Sequence, residues 1–571
     1  MRRLLPYMKG YWKECILGPI FKLMEAILEL IVPLVAARMI DVGIVQKNVS
    51  YIWKMGLLMF LLAALGLGAA LICQFYASKC AYGFGTALRR GLYHHVNTLS
   101  HDAIDRIGTA SLITRITSDT NTVQSGLNMM IRLMTRYPFL IVGAAVMAMR
   151  IDWKLSTIFL IAIPIIGGLL YFVTRWTIPR YAQNQTKLDK IARHTRENLD
   201  GVRVIRVFSR QAEEEKNYQA DCEAFSEASI HVGRVGAILN PASFLIMDFG
   251  IVAVLWFGGD RVNTGFLTQG ELTAFVNYMT QISLSMVHLA ELLVIMNKAI
   301  ASAKRVSDVL AEEPTIVSGA DRFERDDVSE DAVVFDHVTF TYSGGGEPAI
   351  RDISFALHTG ETLGIIGGTG SGKSSVANLI PRFYDVSEGS VRVFGKDVRE
   401  VDLGALRGMI GVVPQKATLV SGSIAENLRW GKDVASDDEL ETACKIAQAW
   451  EFIQQSPEGL DLAVTQGGKS LSGGQKQRLT IARALIGHPS ILIFDDSISA
   501  LDFATDLALR KALTEEMADV TKIIISQRTT SLQGSDHILV LDDGNCVGYG
   551  THESLLRDCA VYAEIYETQM Q

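Results

Sequence analysis

The residues best suited to chemistry form one contiguous run, Gly367-Gly368-Thr369-Gly370-Ser371-Gly372-Lys373-Ser374, which fits the spacing G-x-x-x-x-G-K-[ST]. Glycines there let successive backbone N–H groups turn inward on a phosphate. Lys373 can reach terminal phosphates, the Ser374 hydroxyl can ligate magnesium, and Ser375 follows in the helix whose positive dipole end opens at this point. A chance glycine-rich loop is the competing reading; the apolar run Leu363-Gly364-Ile365-Ile366 before it, which reads as a buried strand, and the helix after it speak against that. A second apolar run, Ile491-Leu492-Ile493-Phe494, ends in Asp495-Asp496. The first carboxylate could hold the metal and the second could face an attacking water. Two acidic residues after a strand are more often a surface turn, but their place beyond a phosphate loop favours the catalytic reading.

The elements that position these groups alternate short strand-like runs with charged helical stretches, which predicts an α/β domain over residues 332–571. The first part of the chain differs in kind. At 571 residues, with 49% hydrophobic and 20% charged residues and a mean hydropathy of +0.21, the chain is too long for one core and too apolar for disorder. Crossing a hydrocarbon layer of about 30 Å takes roughly 20 apolar helical residues. Trp53 to Phe75, Met134 to Met149, Ser156 to Val173 and Ala242 to Phe257 qualify cleanly, while Cys15 to Val35 contains Lys22, Glu25 and Glu29, and Leu272 to Met296 contains His288 and Glu291. Six spans over residues 1–305 follow, then a polar linker over 306–331 that includes Pro314 and the run Ser318 to Asp331.

Arg89, Arg90, Arg106 and Arg115 after the second span, and nine Lys and Arg between Arg175 and Arg210 after the fourth, place both of those loops in the cytoplasm. The N-terminus, with Arg2, Arg3, Lys9 and Lys13 and no cleavage-site pattern, reads as a retained cytoplasmic flank, and an even number of spans returns the α/β domain to the same side of a cytoplasmic membrane. A formal charge of −8 leaves no basic excess for a nucleic-acid backbone. The seven cysteines show no Cys-x-x-Cys or Cys/His spacing and read as incidental thiols.

Leu471-Ser472-Gly473-Gly474-Gln475-Lys476-Gln477-Arg478 carries the LSGGQ signature, and with it the chain resembles the ATP-binding cassette (ABC) family. The resemblance extends to Tyr342 at the adenine-stacking aromatic, Gln415 at the glutamine loop that also reaches the metal, and Ser499-Ala500-Leu501-Asp502 at the D-loop. Six spans with two long cytoplasmic loops, the second including Asn198 to Arg206, look like the half-transporters called type I or type IV ABC exporters. That likeness implies ATP and Mg2+ as ligands, Asp495 as a metal ligand beside Ser374, and coupling helices near Ser100 to Arg106 and Leu199 to Ile205. It also implies a dimer in which Ser472, Gly473, Gly474 and Gln475 close over the partner's ATP.

Two chemical positions depart from the family. Asp496 stands where glutamate is usual, withdrawing the carboxylate by more than about 1 Å, a misplacement that can cost on the order of 10²-fold in rate. Gln527, in Ser526-Gln527-Arg528, stands where a switch histidine is usual and cannot titrate. Val464 to Gly468 departs from the usual acidic X-loop as well. The expectation is therefore a membrane half-transporter that exports a drug-like, amphipathic, lipid or peptide substrate, with a degenerate site of its own. Its partner would be a different chain carrying Glu and His at those positions. The competing readings are a slow homodimeric exporter and a non-pumping ATP-gated regulator. Glu25, Glu29, Asp248 and Glu291 are candidate cavity residues that would suit amphipathic cations, with mutual pairing as the alternative. Met129, Met130, Met134 and Met147 read as core or lipid-facing rather than as a metal path.

Overall fold

The computed structural model describes residues 2–323 and 330–570, so part of the expected linker, residues 324–329, lies outside the described residues. The chain divides into two units. One comprises the residues up to Asn97 together with Thr109–Glu312; the other comprises Thr98–Gly108 together with the chain from Glu313 onward.

The first unit is all helical. It contains α1 (Trp12–Arg38) and α2 (Val49–Thr98), with the short α3 (His101–Ile107) of the other unit intervening in sequence. Next come α4 (Thr109–Thr114), α5 (Thr120–Met129) and α6 (Arg136–Ile151), joined by wider turns at Arg115–Asp119 and Met130–Met134 into a nearly continuous rod. Then follow α7 (Thr157–Asp200), α8 (Val202–Val207), α9 (Gln211–Asn263) and α10 (Gln269–Val309). Among the described residues five helical stretches, α2, the rod from Thr109 to Ile151, α7, α9 and α10, are long and apolar enough to cross a membrane by length and composition. The 27-residue α1 is the sixth long helix. Within it Lys22 and Glu14 are buried, whereas Lys13 and Arg38 at its ends are exposed, and Trp53, Phe60 and Phe75 of α2 stand more than half exposed, as lipid-facing groups would.

Four of these helices far exceed the apolar runs seen in sequence: α2, α7, α9 and α10 have 50, 44, 53 and 41 residues. The reason is that polar residues continue the same helix beyond the hydrocarbon layer. There α7 and α9 pair through Asn184 donating to Ser229 (2.8 Å), Lys190 to Asp221 (2.7 Å) and His194 beside Glu214 (2.9 Å).

The second unit is built on two large sheets and one two-stranded antiparallel pair. Its strands are β1 (Asp331–Phe340), β2 (Ile350–His358), β3 (Thr362–Gly367), β4 (Glu388–Val393), β5 (Lys396–Asp397), β6 (Ile410–Val413), β7 (Gly422–Ser423), β8 (Ala463–Val464), β9 (Ile491–Asp495), β10 (Thr521–Ile525), β11 (His537–Asp542) and β12 (Asn545–Gly550). An antiparallel sheet runs β2-β1-β4-β5, a six-stranded sheet runs β12-β11-β3-β10-β9-β6, and β7-β8 is the two-stranded pair. In the larger sheet every neighbouring pair except β11 with β12 is parallel, and the buried positions of the central strands are mostly Ile, Leu and Phe because both faces are covered. Ile525 lies opposite both Ile365 and Asp495, and Val413 lies opposite Phe494. Strands β3, β6, β9 and β10 therefore end at one edge, where an open parallel sheet binds its ligands.

The short helix α3 is part of this second unit because its side chains are held there. Ser100 caps its first turn by accepting from the Ala103 N–H, the His101 ring meets Phe383 edge-on at 4.7 Å, and the Tyr384 hydroxyl donates to Asp105 at 3.0 Å. It lies on the stretch expected for the first coupling helix. The second expected helix is α8 in the first unit, where Val204, Val207 and the following Phe208 stay largely exposed.

Candidate nucleotide site

The glycine-rich run leaves β3 and enters the helix Lys373–Leu379 with Gly370 and Gly372 at φ of 85° and 96°, a backbone region costly for other residues. At Gly372 the crowding is also direct, since an added Cβ would lie 2.5 Å from Ile350 and 2.6 Å from the Ala349 carbonyl. No side chain caps this helix start. Lys373 is buried and folds back over the loop, its ammonium donating to the carbonyls of Gly367 (2.9 Å) and Gly368 (2.5 Å) and to the Ser371 hydroxyl (3.2 Å). Burial lowers its pKa, partly offset by the charges of Asp496 and Asp495.

The parallel register brings the acidic pair to the same loop. The Ser374 hydroxyl donates to Asp495 at 3.0 Å, and the Gln415 side-chain amide, just beyond β6, donates to Asp496 at 3.2 Å. Burial raises the pKa of Asp495, opposed by that Ser374 bond. Asp496 sits at φ 47°, a left-handed conformation that aspartate tolerates better than most residues. Its second carboxylate oxygen, Oδ1, is buried with no hydrogen-bond partner among the described residues. A serine hydroxyl, an amide oxygen and a carboxylate form the hard-oxygen set that suits Mg2+, which typically takes one or two carboxylates together with substrate phosphates. Ser374, Gln415 and Asp495 would hold it, and it would supply charge neutralisation at the phosphates.

Tyr342 follows β1, and its hydroxyl shares a hydrogen bond with Ser375 at 3.0 Å while its ring meets Phe340 and Tyr384 edge-on at 4.6 and 5.2 Å. Thus Gly367 to Ser375, Tyr342, Gln415, Asp495 and Asp496 gather in one place. Gln527, just past β10, has an exposed side chain. The backbone around it is held by Gln569 of the last helix, Ala560–Met570, which donates to the Gln527 carbonyl (2.7 Å) and accepts from the Thr529 N–H (2.8 Å) and hydroxyl (2.9 Å). Nothing in the sequence announced Gln569. That helix is anchored by the buried Tyr562, whose hydroxyl is 2.7 Å from His552 Nδ1.

The signature residues open a separate helix, Gly473–Ile486. Ser472 and Gln475 form a reciprocal capping box, at 3.2 and 2.9 Å. A Cβ added at Gly473 would meet nothing within 4 Å, and one at Gly474 only the Ala500 carbonyl at 3.9 Å. Asp502 caps the helix Phe503–Glu516, accepting from the Thr505 N–H (3.0 Å) and hydroxyl (2.8 Å), and the first of these bonds holds its pKa low.

The candidate cavity carboxylates lie apart from this site. Lys22 binds Glu25 at 2.6 Å, and Arg136, which sequence reading passed over, binds Glu29 at 2.9 Å and approaches Glu25 at 3.9 Å. Asp248 is exposed, and Glu291 is exposed beside His288 at 3.4 Å. Arg136 was legible only as the basic residue just inside the third span.

Comparison with known proteins agrees with this geometry. Residues 15–286 match the family described as ABC transporter transmembrane region, and residues 350–499 match the family described as ABC transporter. An uncharacterised ABC transporter ATP-binding protein of Bacillus subtilis is 35% identical over 572 residues, covering 100% of this chain and 98% of that one. A fatty acid ABC transporter ATP-binding/permease protein of Mycobacterium bovis is 32% identical over 485 residues, 84% of this chain and 75% of that one. The solved structure of a bacterial Atm1-family ABC exporter with ATP bound superposes with a TM-score of 0.80 at 25% identity, covering 100% of this chain and 99% of that chain. The chain belongs to the ABC transporter family as an exporter half-transporter, a multi-pass protein of the cell membrane whose ATPase domain is cytoplasmic.

Proposed function

We propose that this chain is one half of a heterodimeric ATP-driven exporter, that its own phosphate-loop site grips ATP and Mg2+ but hydrolyses slowly, and that its signature helix completes a faster site on a different partner. The observation that carries this reading is the division within one site: every group that would hold phosphate is in place, while the two that would act on water are altered. Lys373 is poised on the loop, and Ser374 and Asp495 are joined at 3.0 Å. Asp496, one methylene shorter than the usual glutamate, has one oxygen on Gln415 and the other buried without a partner. Gln527 offers no titratable group and is exposed.

The open signature supports the partner role. Gly473 and Gly474 have almost nothing of their own chain against them, so their small size is not required by this chain's packing. The exported substrate is of an amphipathic, membrane-partitioning class; the Mycobacterium bovis relative, named for fatty acid transport, is consistent with that.

The test is purification from the native membrane with whatever second half-transporter copurifies in equal amount, followed by single-site turnover with and without the paired substitutions Asp496→Glu and Gln527→His. The paired change should raise turnover at this chain's site by on the order of tenfold or more. Purification as a self-dimer with turnover normal for the family would overturn the heterodimer and the slow site together. Nucleotide-dependent gating without vectorial movement of any substrate would overturn export by this chain.

A further inference from the structure

A cavity of 780 Å3 opens between α7 and α10 in the membrane unit, inside the range of about 300–1,000 Å3 usual for small-molecule sites. None of the four carboxylates considered above lines it. Its wall on α7 is a stripe at helical spacing, Gly167, Leu170, Tyr171 and Arg175, faced by Met286 and Leu293 of α10. Arg175 is the charged group in an otherwise almost wholly apolar lining. Among the described residues no carboxylate pairs with it, whereas its neighbour Arg180 is stacked 3.7 Å over Trp176. Of the acidic groups in the bundle, Glu25 and Glu29 are engaged with Lys22 and Arg136, and Asp152 with Arg261, while Asp248 and Glu291 are exposed and stand outside the cavity lining.

From this we propose that the cavity binds a single-chain amphipathic anion, with the head on Arg175 and the tail along the stripe toward Gly167 and Met286. Arg175 is exposed, so its guanidinium is accessible, and it presents a fork of donors that fits a carboxylate or phosphate head while the apolar lining beside it suits the tail. The tail length follows from the helix. Gly167 and Arg175 are eight residues apart, about 12 Å at the α-helical rise, which suits a medium-length acyl chain. Gly167 sets the deep end: a Cβ there would sit 3.6 Å from the Met286 methyl in ordinary contact, so alanine fits and a larger side chain would project into the tail space. The preference for anions is opposite in sign to what the intramembrane carboxylates suggested, because none of those carboxylates lines the cavity.

The role of the cavity in export rests on the function proposed above, but binding is measured without nucleotide, so the two fail separately. Full-length protein in nanodiscs, with its partner if one copurifies, is titrated with dodecanoate, dodecyl phosphate, methyl dodecanoate and dodecyltrimethylammonium. Both anions should bind at least about tenfold more tightly than the ammonium, and Arg175→Gln should remove about tenfold of anion affinity while leaving methyl dodecanoate unchanged. Arg175→Lys should retain most of the anion affinity. Gly167→Leu should weaken dodecanoate relative to octanoate, with Gly167→Ala, which fits without strain, showing a smaller shift in the same direction. Equal binding of the anions and the ammonium, or an equal loss for anions and ester in Arg175→Gln, would show Arg175 to be only an interfacial anchor and overturn the proposal. An unchanged chain-length preference in both Gly167 variants would overturn the placement of the tail. Anion binding without ATP-driven movement would leave this site standing and sink the export reading alone.

Discussion

The phosphate loop and the signature helix are both glycine-rich helix starts, yet their surroundings are opposite. At the loop the fold itself demands glycine: Gly372 has φ 96° and backbone atoms of Ala349 crowd the place a side chain would take. At the signature, Gly473 has φ in the ordinary helical range and open space around it. The first helix start is left uncapped by any side chain, keeping its N–H groups for a phosphate, while the second is capped by its own Ser472. A glycine that its own chain does not require points to something arriving from outside. The glycines of one region answer to the packing of their own chain, and those of the other, under the function proposed above, to the partner they would meet.

The sharpest way to break this contrast is to place the same side chain in both regions. Gly372→Val should abolish nucleotide binding and cost the cassette roughly 1–3 kcal/mol, read by ATP-analogue binding and thermal melting, since it meets both strain and collision. Gly474→Val should leave melting and ATP binding of the chain alone unchanged, yet lower turnover of the assembled transporter by on the order of 10²-fold, the scale of losing a positioned donor at a reacting phosphate. Equal damage in the isolated chain from both substitutions would erase the distinction.

A smaller effect tests how far the self-contained region extends. Gln569 brackets the switch segment with three hydrogen bonds, so Gln569→Ala should loosen it by about 1 kcal/mol and change kcat a few-fold without altering KM for ATP. Gln569→Asn, unable to reach, should behave like alanine, and hydrogen exchange at Thr529 should rise in both. The smallest expected effect lies in the membrane unit. His194 is held between Glu214 and Asp221, and the Glu214 bond first, then Asp221, raises its pKa above the ordinary value. The folded state therefore binds the proton more tightly. The added stability of the α7–α9 pair is fully present below the unfolded histidine value of about 6.5 and is lost as pH rises through the raised folded value. Proteolysis of that helix pair should accelerate modestly from pH 6 to 8.5, and His194→Gln should flatten the dependence.

Much of the candidate site was legible because its parts are local. Eight contiguous residues suffice to predict a phosphate loop, and five a signature, since each acts through its own backbone and its own helix start. The spans were legible for a similar reason, in that hydrocarbon thickness selects an apolar length. Helices α7 and α9 run far beyond their apolar cores because polar sequence continues a helix as well as apolar sequence does. Arg136 meets Glu29 across 107 positions, and Gln569 meets Thr529 across 40, distances over which no periodicity carries information.

The same boundary separates what each level of description decided about this protein. Composition and short motifs determined that the chain is membrane-embedded and carries a phosphate loop, because those properties reside in residue type and short-range spacing. The half-transporter architecture, and Asp496 and Gln527 as departures at positions that would act on water, followed from the family resemblance those motifs carry. Only the tertiary structure decided which charges are free. The order β3-β10-β9-β6 brings Ser374 to Asp495 and Gln415 to Asp496, and the helix packing spends Glu25 and Glu29 on Lys22 and Arg136 while leaving Arg175 at a cavity with no carboxylate partner among the described residues. Pairing of charges depends on separations in space of a few ångströms, and those are set by strand crossovers and helix contacts that join parts of the chain far apart in sequence.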